Sequence, residues 1–467
     1  MTFSAVRLYL LDDDGSFDFD GQGRGLEAWG FQLETGHHPQ LKPNLWSPVA
    51  TAVEPVVYAE GTERSGFSDA WPHDWGLADI PESWEHLDVA PIVRCREMVF
   101  VDGSPLRQLL SPLNLAPGDF WVSELDDRIS LIPPPGVELS QATVEVAVRS
   151  GIFVVRGRSR LSVNGIRFQH DNSGPPMSGG SEGAALKFTH GCSDITIQNC
   201  EISHNNWIGL SLALCRDVRS WRNVANHNGH NGSATFQLTD LESEGDEFSY
   251  NNWRGAQGGF FGWSVGGSKN SLVHRAVYRG LRLVGNEAVG IWFDTDCEDV
   301  LLENLYATDN LNGMFFESIQ GPITVDSGEI FDNHRMGVVA SFSNNISLVG
   351  NQIFGHPVAE IGFSTVDYEP FTNFETQEVY SDQFFEDWAL LDNQIRADST
   401  GWGLFYALDE VWPISRETLY SDWNTWYREA SAEAFAVGPD AFDLPGWRLE
   451  SGQDWNSVYE DPFGARQ

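Results

Sequence analysis

The chain has 467 residues, of which 67 are acidic and 28 basic, and its formal net charge is −39. This negative excess argues strongly against binding to nucleic acid or to anionic membranes. A hydrophobic content of 41% suffices for a packed interior. The length exceeds that of one ordinary domain, but it suits a solenoid, in which each coil packs only on its neighbours.

Lysine is scarce, because Lys42, Lys187 and Lys269 make up the whole lysine content. Excess acid with little lysine indicates a halophilic protein, although a GC-rich genome also depletes lysine. Residues 1–15 lack a basic region followed by a long apolar run, so we expect no signal peptide and no transmembrane span. The protein is then either intracellular, or extracellular with an export signal that precedes this chain.

Residues 1–142 do not share the repeat found later and are predicted to form a small β-rich module. Strand-like residues around Phe100 end in an Asp-Gly turn at Asp102 and Gly103. Two further apolar segments, 120–122 and 129–132, flank a second polar turn. Both patterns are typical of β-hairpins. The first coils of a solenoid are expected from Thr143 onward.

A repeat of about 23 residues dominates residues 143–357. Its marker is an asparagine that recurs at Asn205, Asn228, Asn251, Asn286, Asn310 and Asn333. Asparagine tolerates the left-handed backbone of a tight corner, and its amide can bond to the same amide in the next coil. We therefore expect residues 183–357 to form stacked parallel coils with these asparagines aligned at one corner.

Glycines follow the asparagines in step, at Gly209, Gly232, Gly255, Gly290, Gly313 and Gly337. The interval from Gly255 to Gly290 exceeds the repeat by 12 residues. The glycine-rich sequence in this interval predicts a loop that leaves the solenoid after Gly259 and carries Trp263 beside Asp294.

Residues 358–467 are predicted to form terminal coils and a cap. Residues 388–393 indicate one more strand and corner. The end of a solenoid exposes an apolar cross-section that must be covered. The aromatic residues expected to cover it are Trp402, Phe405, Trp412, Trp423, Trp426 and Trp447.

The segment Gly290-Ile-Trp-Phe-Asp-Thr-Asp296 resembles strands of large polysaccharide-active proteins in the pectate-lyase-like superfamily. Residues 447–463 are similar to the C-terminal edge of such proteins, and the likeness covers roughly residues 95–467. It implies an all-β fold, a right-handed parallel β-helix solenoid, and a poly- or oligosaccharide partner. It leaves the reaction open, because that superfamily contains lyases, hydrolases, epimerases, esterases and phage tailspikes.

Asp294 and Glu317 are the candidate catalytic residues, because they end two consecutive copies of one short strand pattern, 23 residues apart. Strands of adjacent coils lie about 4.8 Å apart, so the two carboxyl groups should be roughly 5 Å from each other. That spacing matches a retaining glycoside hydrolase, which needs no cofactor. Trp292 and Phe315, two residues earlier, would form an apolar wall for a sugar ring, with Trp263 as a further contact.

A second hypothesis keeps this face and changes the reaction to that of a polysaccharide lyase. Asp294, Asp296 and Glu317 would then hold Ca²⁺, which neutralises the carboxylate of a uronate unit. The base would come from Lys269, His274, Arg275 or Arg279. Arg275 is also a candidate substrate-binding residue, although a pair of arginines at this spacing is typical of a solvated strand.

A third hypothesis is a non-catalytic, carbohydrate-binding or adhesive solenoid. In so acidic a chain, stacked acids also arise incidentally, as at Glu303 with Asp326 and at Asp309 with Asp332. His204 and His227, also 23 residues apart, are expected at a corner. The clustering of aromatic residues around Asp294 and Glu317 favours an enzyme.

Overall fold

The computed structural model describes residues 97–109, 111–123, 128–147, 151–173, 183–254, 265–364, 370–380, 385–398 and 401–464. The expectations for residues 1–96, Gly255, Gly259 and Trp263 therefore lie outside the described residues.

The N-terminal module contains two small sheets. Its strands are β1 (Val99–Val101), β2 (Ser104–Pro105), β3 (Arg107–Leu109), β4 (Asp119–Ser123), β5 (Arg128–Leu131) and β6 (Val144–Val146), with a 3₁₀ turn at Pro112–Asn114. Asp102 and Gly103, with φ of 50° and 76°, form the turn between β1 and β2. The antiparallel pair β4 and β5 is the second expected hairpin. Strand β6 was expected to open the first coil, but it pairs antiparallel with β1 and completes this module.

Parallel pairing begins at β7, and the strands then follow one another in short succession. They are β7 (Phe153–Arg156), β8 (Ser159–Asn164), β9 (Arg167–Gln169), β10 (Ala184–Thr189), β11 (Ser193–Gln198), β12 (Glu201–Ser203), β13 (Ile208–Trp221), β14 (Val224–Asn226), β15 (Ser233–Glu244), β16 (Gly266–Arg279), β17 (Arg282–Val284), β18 (Val289–Asp294), β19 (Glu298–Glu303), β20 (Tyr306–Thr308), β21 (Asn312–Glu317), β22 (Ile323–Asp326), β23 (Glu329–Phe331), β24 (Met336–Ser341), β25 (Ile346–Val349), β26 (Gln352–Phe354) and β27 (Ala359–Phe363).

The C-terminal part adds shorter strands and two helices. They are β28 (Phe371–Thr372), β29 (Val379–Tyr380), β30 (Ala389–Leu391), β31 (Gln394–Ala397), β32 (Gly403–Ala407), α1 (Trp412–Thr418), β33 (Tyr420–Asp422), β34 (Thr425–Arg428), β35 (Phe435–Val437), β36 (Asp440–Phe442), α2 (Leu444–Ser451) and β37 (Val458–Tyr459).

Each coil contributes one strand to each of three walls. Strands β18, β21, β24 and β27 belong to the first wall, β19, β22 and β25 to the second, and β20, β23 and β26 to the third. The long strands β13, β15 and β16 run through both the first and the second wall. The predicted stack of parallel coils is confirmed. It continues beyond residue 357, because β30 to β35 pair onto the preceding coils.

Side chains point alternately inward and outward along each first-wall strand, and those that point inward fill the interior of the coil. Ile291 and Phe293 point inward on β18, as do Met314 and Phe316 on β21, and all four are fully buried. The rings of Phe293 and Phe316 stack at 6.0 Å with an interplanar angle of 10°. Burying each such side chain contributes about 1.5–3 kcal/mol. The remaining strand residues are therefore left for the outer surface of the first wall.

The asparagine ladder is confirmed. From Asn205 to Asn333, each side-chain amide donates to the amide oxygen one coil further on, over N–O distances of 2.9, 3.1, 3.0, 2.8 and 3.0 Å. Each of these side chains is buried, and each amide nitrogen also donates to a main-chain carbonyl oxygen. Beyond Asn333 the acceptor is His356, at 3.0 Å.

A second ladder serves the corner between the second and third walls in the later coils. Asn351 donates to Asn393 and Asn393 to Asn424, both over 3.0 Å, and the main-chain nitrogen of Asn424 donates to the Ser457 hydroxyl at 2.9 Å. This ladder runs through the segment in which the 23-residue period fades. It keeps the coils in register although their lengths differ there.

The glycine column differs from the prediction at one position. Gly267, not Gly255, stands between Gly232 and Gly290, since Ser233 pairs with Ser268 and Ser268 with Ile291. A Cβ atom at Gly267 would lie 2.6 Å from the Asn286 amide nitrogen and 2.6 Å from the Gly290 carbonyl oxygen, so no larger residue fits there. The additional residues therefore precede the first-wall strand of their coil instead of following it.

An aromatic cap closes the C-terminal end. Phe405, Trp412, Trp426 and Trp447 are buried there, and Phe435 stacks on Trp447 at 4.9 Å. Of the six residues predicted for the cap, Trp402 and Trp423 are the exceptions, with 47% and 57% of their surface exposed. They are therefore surface residues.

The cap also contains a buried acceptor. Asp454 accepts the indole N–H of Trp426 at 3.0 Å and that of Trp447 at 2.8 Å. Helix α2 starts after Asp443, which accepts from the Gly446 nitrogen, and it ends at Gly452 with φ of 70°. These polar contacts fix the orientation of the indole rings over the last coil.

One coil has a polar interior. Asn270 points inward on β16, and its amide oxygen accepts from the hydroxyls of Thr235 at 2.9 Å and Tyr278 at 3.0 Å. Its amide nitrogen donates to the Trp292 carbonyl at 3.3 Å. The buried polar groups are thus satisfied by one another, on the inner side of the same strand that carries Lys269 on its outer side.

Candidate active site

The outer surface of the first wall, here called the site face, carries its side chains in columns. The register pairs Ser271 with Asp294, Asp294 with Glu317, and Glu317 with Ser341. The two candidate carboxylates therefore lie directly opposite each other on adjacent strands, and a hydroxyl follows on each side. The loop was expected to leave the solenoid after Gly259, but the residue that stands before Asp294 in this column is Ser271.

The neighbouring column on the site face contains Lys269, Trp292, Phe315 and Val339. The rings of Trp292 and Phe315 lie 4.9 Å apart with a tilt of 39°. The ammonium nitrogen of Lys269 is 3.1 Å from the centroid of the Trp292 ring, a cation–π contact. An apolar surface with one embedded cation thus borders the two carboxylates.

Asp294 is held by three donors. Oδ2 accepts from the Lys269 ammonium at 2.6 Å and from the Ser271 hydroxyl at 3.4 Å, and Oδ1 accepts from the Thr295 hydroxyl at 2.8 Å. The Lys269 side chain is 8% exposed and that of Asp294 24%. Because the pair is largely shielded from solvent, these bonds hold the Asp294 carboxyl group in one orientation.

Glu317 differs from Asp294, because its surroundings raise the pKa of its carboxyl group. Burial and, after it, the negative charge of Asp294 raise the pKa of Glu317 from 4.5 to about 7, although Lys269 and the Trp292 indole act in the other direction. Two neighbouring carboxyl groups thus have different environments, since one is bound by a cation and the other has a raised pKa. Such a division assigns acid and base roles within a pair.

Asp296 does not join this pair. Thr295 and Asp296 have φ of 46° and 52°, and this left-handed backbone turns the chain from the first wall into the second. The Asp296 side chain is buried and accepts from the Phe374 nitrogen at 2.8 Å. Among the described residues, the cluster suited to a metal ion is His274, Asp296 and Glu298. The predicted calcium ligand set of Asp294, Asp296 and Glu317 is therefore not the one that the structure brings together.

Arg275 and Arg279 lie on the second wall, away from the candidate pair. Arg275 binds Asp240 at 2.9 Å and Glu375 at 2.7 Å, and Arg279 binds Glu303 at 2.8 Å. These ion pairs are about half exposed, and they engage Arg275 with neighbouring acids. The assignment of Arg275 as a substrate-binding residue stays a prediction, which these ion pairs do not favour.

His204 and His227 lie at a corner, as expected. Both have left-handed backbone, with φ of 55° and 51°, and their rings stack at 5.0 Å with an angle of 1°. This corner precedes the first-wall strands, whereas Asp294 and Glu317 stand at the far end of those strands. The two histidines are thus outside the candidate site.

The sequence analysis missed one buried histidine near the site. His230 stacks on Trp207 at 4.0 Å, and neither of its ring nitrogens has a hydrogen-bond partner among the described residues. Burial and the charge of Lys269 lower the pKa of His230 to about 3. A neutral imidazole therefore lies close to Lys269. No repeat in the sequence marks it, since its position is held by other residue types in other coils.

The other stacked acids have ordinary surroundings. Glu303 and Asp326 are paired in register on the second wall, where Glu303 binds Arg279 and Asp326 accepts from the Ser327 hydroxyl. Asp309 is exposed and lies 3.0 Å from His334. Neither pair adjoins a buried aromatic surface, which distinguishes them from Asp294 and Glu317.

Residues 188–353 match the family described as "Right handed beta helix region". The match covers the coils from β10 to β26, including the whole candidate site. The fold is a right-handed parallel β-helix. No curated protein matches this β-helix chain significantly in sequence. Among the described residues, no helix is long and apolar enough to cross a membrane.

Solved structures with the same β-helix fold include XylC in complex with xylose, at 12% identity and a TM-score of 0.55, covering 74% of this chain and 67% of XylC. The A-module of the Azotobacter vinelandii mannuronan C-5 epimerase AlgE6 matches at 15% identity and a TM-score of 0.46, covering 67% of this chain and 76% of the module. A glycoside hydrolase matches at 11% identity and a TM-score of 0.37, covering 73% and 59%. At these identities the likeness concerns the fold alone.

Proposed function

We propose that the chain is a retaining glycoside hydrolase acting on a poly- or oligosaccharide, with Asp294 as nucleophile and Glu317 as acid and base. The observation that carries the proposal is the contrast between the two opposed carboxyl groups. Asp294 is paired with a cation, whereas burial raises the pKa of Glu317 to about 7. Their direct pairing on adjacent strands, which lie about 4.8 Å apart, supports the carboxyl spacing of about 5 Å that a double-displacement mechanism needs.

In the first step, the Asp294 carboxylate attacks the anomeric carbon and the bond from that carbon to the leaving oxygen breaks. Glu317 gives its proton to the leaving oxygen, and the sugar remains attached to Asp294 as an ester. In the second step, Glu317 accepts a proton from a water molecule, and the water oxygen bonds to the anomeric carbon. The ester bond breaks and Asp294 returns to its carboxylate form, so that the configuration is retained.

The surrounding side chains support these roles. Lys269, Ser271 and Thr295 donate to the Asp294 carboxylate and so fix its orientation before the attack. Phe315 is partly exposed and offers an apolar surface on which the ring of a sugar can pack, whereas Trp292 is only 5% exposed and supports this surface through its contacts with Phe315 and Lys269.

The two other hypotheses have less support. A calcium-dependent lyase would need Asp294, Asp296 and Glu317 to converge, but Asp296 accepts from the Phe374 nitrogen and lies beside His274. A purely adhesive solenoid does not explain why one acid is ion-paired and its neighbour is buried with a raised pKa.

Hydrolysis of para-nitrophenyl glycosides and of oligosaccharides tests the proposal. Xylosides come first, because XylC was solved with xylose. Asp294→Asn and Glu317→Gln should each lower the rate by about 10³-fold or more. Glu303→Gln and Asp326→Asn change the other stacked acid pair and should leave the rate within about twofold. Full activity of both site variants would place the chemistry elsewhere.

Two further measurements separate the roles of the acids. A fluorinated glycoside inactivator should add one sugar mass to a peptide that contains Asp294, and the first product seen by NMR should keep the anomeric configuration of the substrate. Glu317→Gln should lose much less rate on substrates with a dinitrophenolate leaving group, which needs no proton, whereas Asp294→Asn should not. Elimination products with an unsaturated uronate ring would instead establish the lyase hypothesis.

A further inference from the structure

A second cluster of ionisable side chains lies at the corner between the first and second walls. His274 Nε2 is 3.3 Å from Oδ2 of Asp296 and 3.9 Å from Oε2 of Glu298. His274 and Asp296 are 2% and 1% exposed, while Glu298 is partly open to solvent. One nitrogen and two carboxylate oxygens thus converge at the edge of the interior.

The other ring nitrogen of this histidine has a carboxylate partner. His274 Nδ1 is 2.8 Å from Oε2 of Glu375, which Arg275 also binds. If Nδ1–H donates to Glu375, the lone pair of Nε2 faces the carboxylates of Asp296 and Glu298 and the main-chain carbonyl oxygen of Asp296, which is 3.1 Å away. A carboxylate that fixes the tautomer of a histidine in this way is a common outer partner at protein metal sites.

The charges in the cluster do not balance. Arg275 is already paired with both Glu375 and Asp240, so the charges of Asp296 and Glu298 face at most one positive charge on His274. In addition, Oδ1 of Asp296 is buried and has no hydrogen-bond partner among the described residues. A buried carboxylate oxygen without a donor is costly, and a bound cation would satisfy it.

The distances suit an ion. Two ligands of one tetrahedral ion with bonds of about 2.1 Å lie roughly 3.4 Å apart, close to the 3.3 Å and 3.9 Å measured from His274 Nε2. A nitrogen donor among carboxylates is typical of first-row transition metals, whereas Ca²⁺ takes oxygen ligands. We propose that His274, Asp296 and Glu298 bind a divalent first-row transition metal ion such as Mn²⁺ or Zn²⁺.

The ion would fasten the hairpin of β28 and β29 to the solenoid. The Phe374 nitrogen donates to Asp296 at 2.8 Å, and the Asn373 amide donates to Glu298 at 2.9 Å. The Phe374 ring packs on His274 at 4.2 Å. Every ligand therefore also contacts residues 373–375, and the ligand Asp296 follows Asp294 by two residues along the chain. The ion has a structural role, and it is independent of the chemistry proposed for the catalytic pair.

The test is metal binding by the full chain after treatment with EDTA and gel filtration. The wild type should take up one equivalent of Mn²⁺ or Zn²⁺, measured by equilibrium dialysis with elemental analysis, and its Tm should rise. Asp296→Asn and Glu298→Gln should each weaken binding by about 100-fold, and Glu375→Gln by about 10- to 100-fold. Asparagine suits the left-handed backbone at residue 296, and Glu298 is partly exposed, so both variants should fold.

The matched control is Glu303→Gln, which removes an acid from the same strand outside the cluster and should leave binding within twofold. The proposal is overturned if the wild type binds neither metal, or if Asp296→Asn and Glu298→Gln bind as tightly as the wild type. Binding of Ca²⁺ alone would contradict the role of His274 as a ligand.

Discussion

The ammonium nitrogen of Lys269 lies 2.6 Å from Oδ2 of Asp294, on the adjacent coil. Replacing Lys269 by Met removes the charge that stabilises the nucleophile, so kcat/KM should fall by about 10²- to 10³-fold. Lys187 stands in the same column three coils away and is also buried. Lys187→Met should leave the hydrolysis of a short aryl glycoside nearly unchanged. Equal effects of the two substitutions would show that Lys269 has no special role.

The raised pKa of Glu317 predicts an alkaline limb in the pH profile of kcat/KM. Glu317 must be protonated to act as an acid, so activity should fall tenfold per pH unit above about pH 7. Since Lys269 lowers this pKa, Lys269→Met should move the limb to higher pH. Steady-state kinetics from pH 4 to 9 on one substrate checks both statements, and a limb that does not move would contradict the second.

The raised pKa of Glu317 also predicts that the stability of the fold depends on pH. The unfolded chain releases this proton near pH 4.5 and the folded chain near pH 7, so the folded state binds more protons between these values. The free energy of unfolding should therefore decrease as pH rises through this window, and Glu317→Gln should abolish that part of the decrease. Denaturant unfolding at pH 5 and pH 8 should show the variant gaining about 1–3 kcal/mol relative to the wild type. If the variant and the wild type differed in unfolding free energy by the same amount at pH 5 and at pH 8, the raised pKa of Glu317 would be refuted.

The asparagine ladder predicts that shortening a single asparagine side chain lowers the free energy of unfolding substantially. Asn228 donates to Asn251 at 3.1 Å and to the Ile202 carbonyl at 3.0 Å, and it accepts from Asn205 at 2.9 Å. Asn228→Ala leaves buried partners unsatisfied and should cost about 2–4 kcal/mol. Asn226→Ala, on the outer surface of the third wall, should cost less than about 1 kcal/mol. Hydrogen exchange should also become faster at the Asn205 amide, which donates to Asn228.

The polar interior predicts that substitutions of its three residues have non-additive effects on the free energy of unfolding. Asn270→Ala removes the acceptor shared by Thr235 and Tyr278 and should cost about 2–4 kcal/mol. Replacing all three residues, by Thr235→Val, Asn270→Leu and Tyr278→Phe, removes the donors as well. That variant should have a free energy of unfolding closer to that of the wild type than Asn270→Ala has, since the hydroxyls of Thr235 and Tyr278 are removed together with their acceptor.

The repeat was readable from the sequence because each coil imposes the same local demands. A corner with left-handed backbone and a buried amide selects asparagine, and the crowded start of the first wall selects glycine. Asp294 and Glu317 could be paired by counting residues for the same reason. The interval before Gly290 was misread because it holds two glycine-rich segments. Only the register shows that Gly267 belongs to the column, and this register places Lys269 and Ser271 beside Asp294.

The remaining parts of the site depend on geometry that spacing does not encode. Strand alternation would place Asp294 and Asp296 on one face, but the left-handed backbone at Thr295 and Asp296 ends the alternation. The contact between His274 and Glu375 joins residues 101 positions apart, through a hairpin that follows no repeat. Trp402 and Trp423 were assigned to the cap from composition, which does not reveal on which side of a strand an aromatic ring points.

The amides of the asparagine ladder bond along the axis of the stack and so join one coil to the next. A force that pulls the two ends of the solenoid apart therefore loads these bonds and the three strand pairings of each coil in series. Under such a force the chain should lengthen stepwise, one coil of about 23 residues at a time, each step releasing roughly 80 Å of extended chain. A force applied across the axis instead acts on the packed interior of the coils. It does not load one coil after another, so unfolding should not start at a single coil.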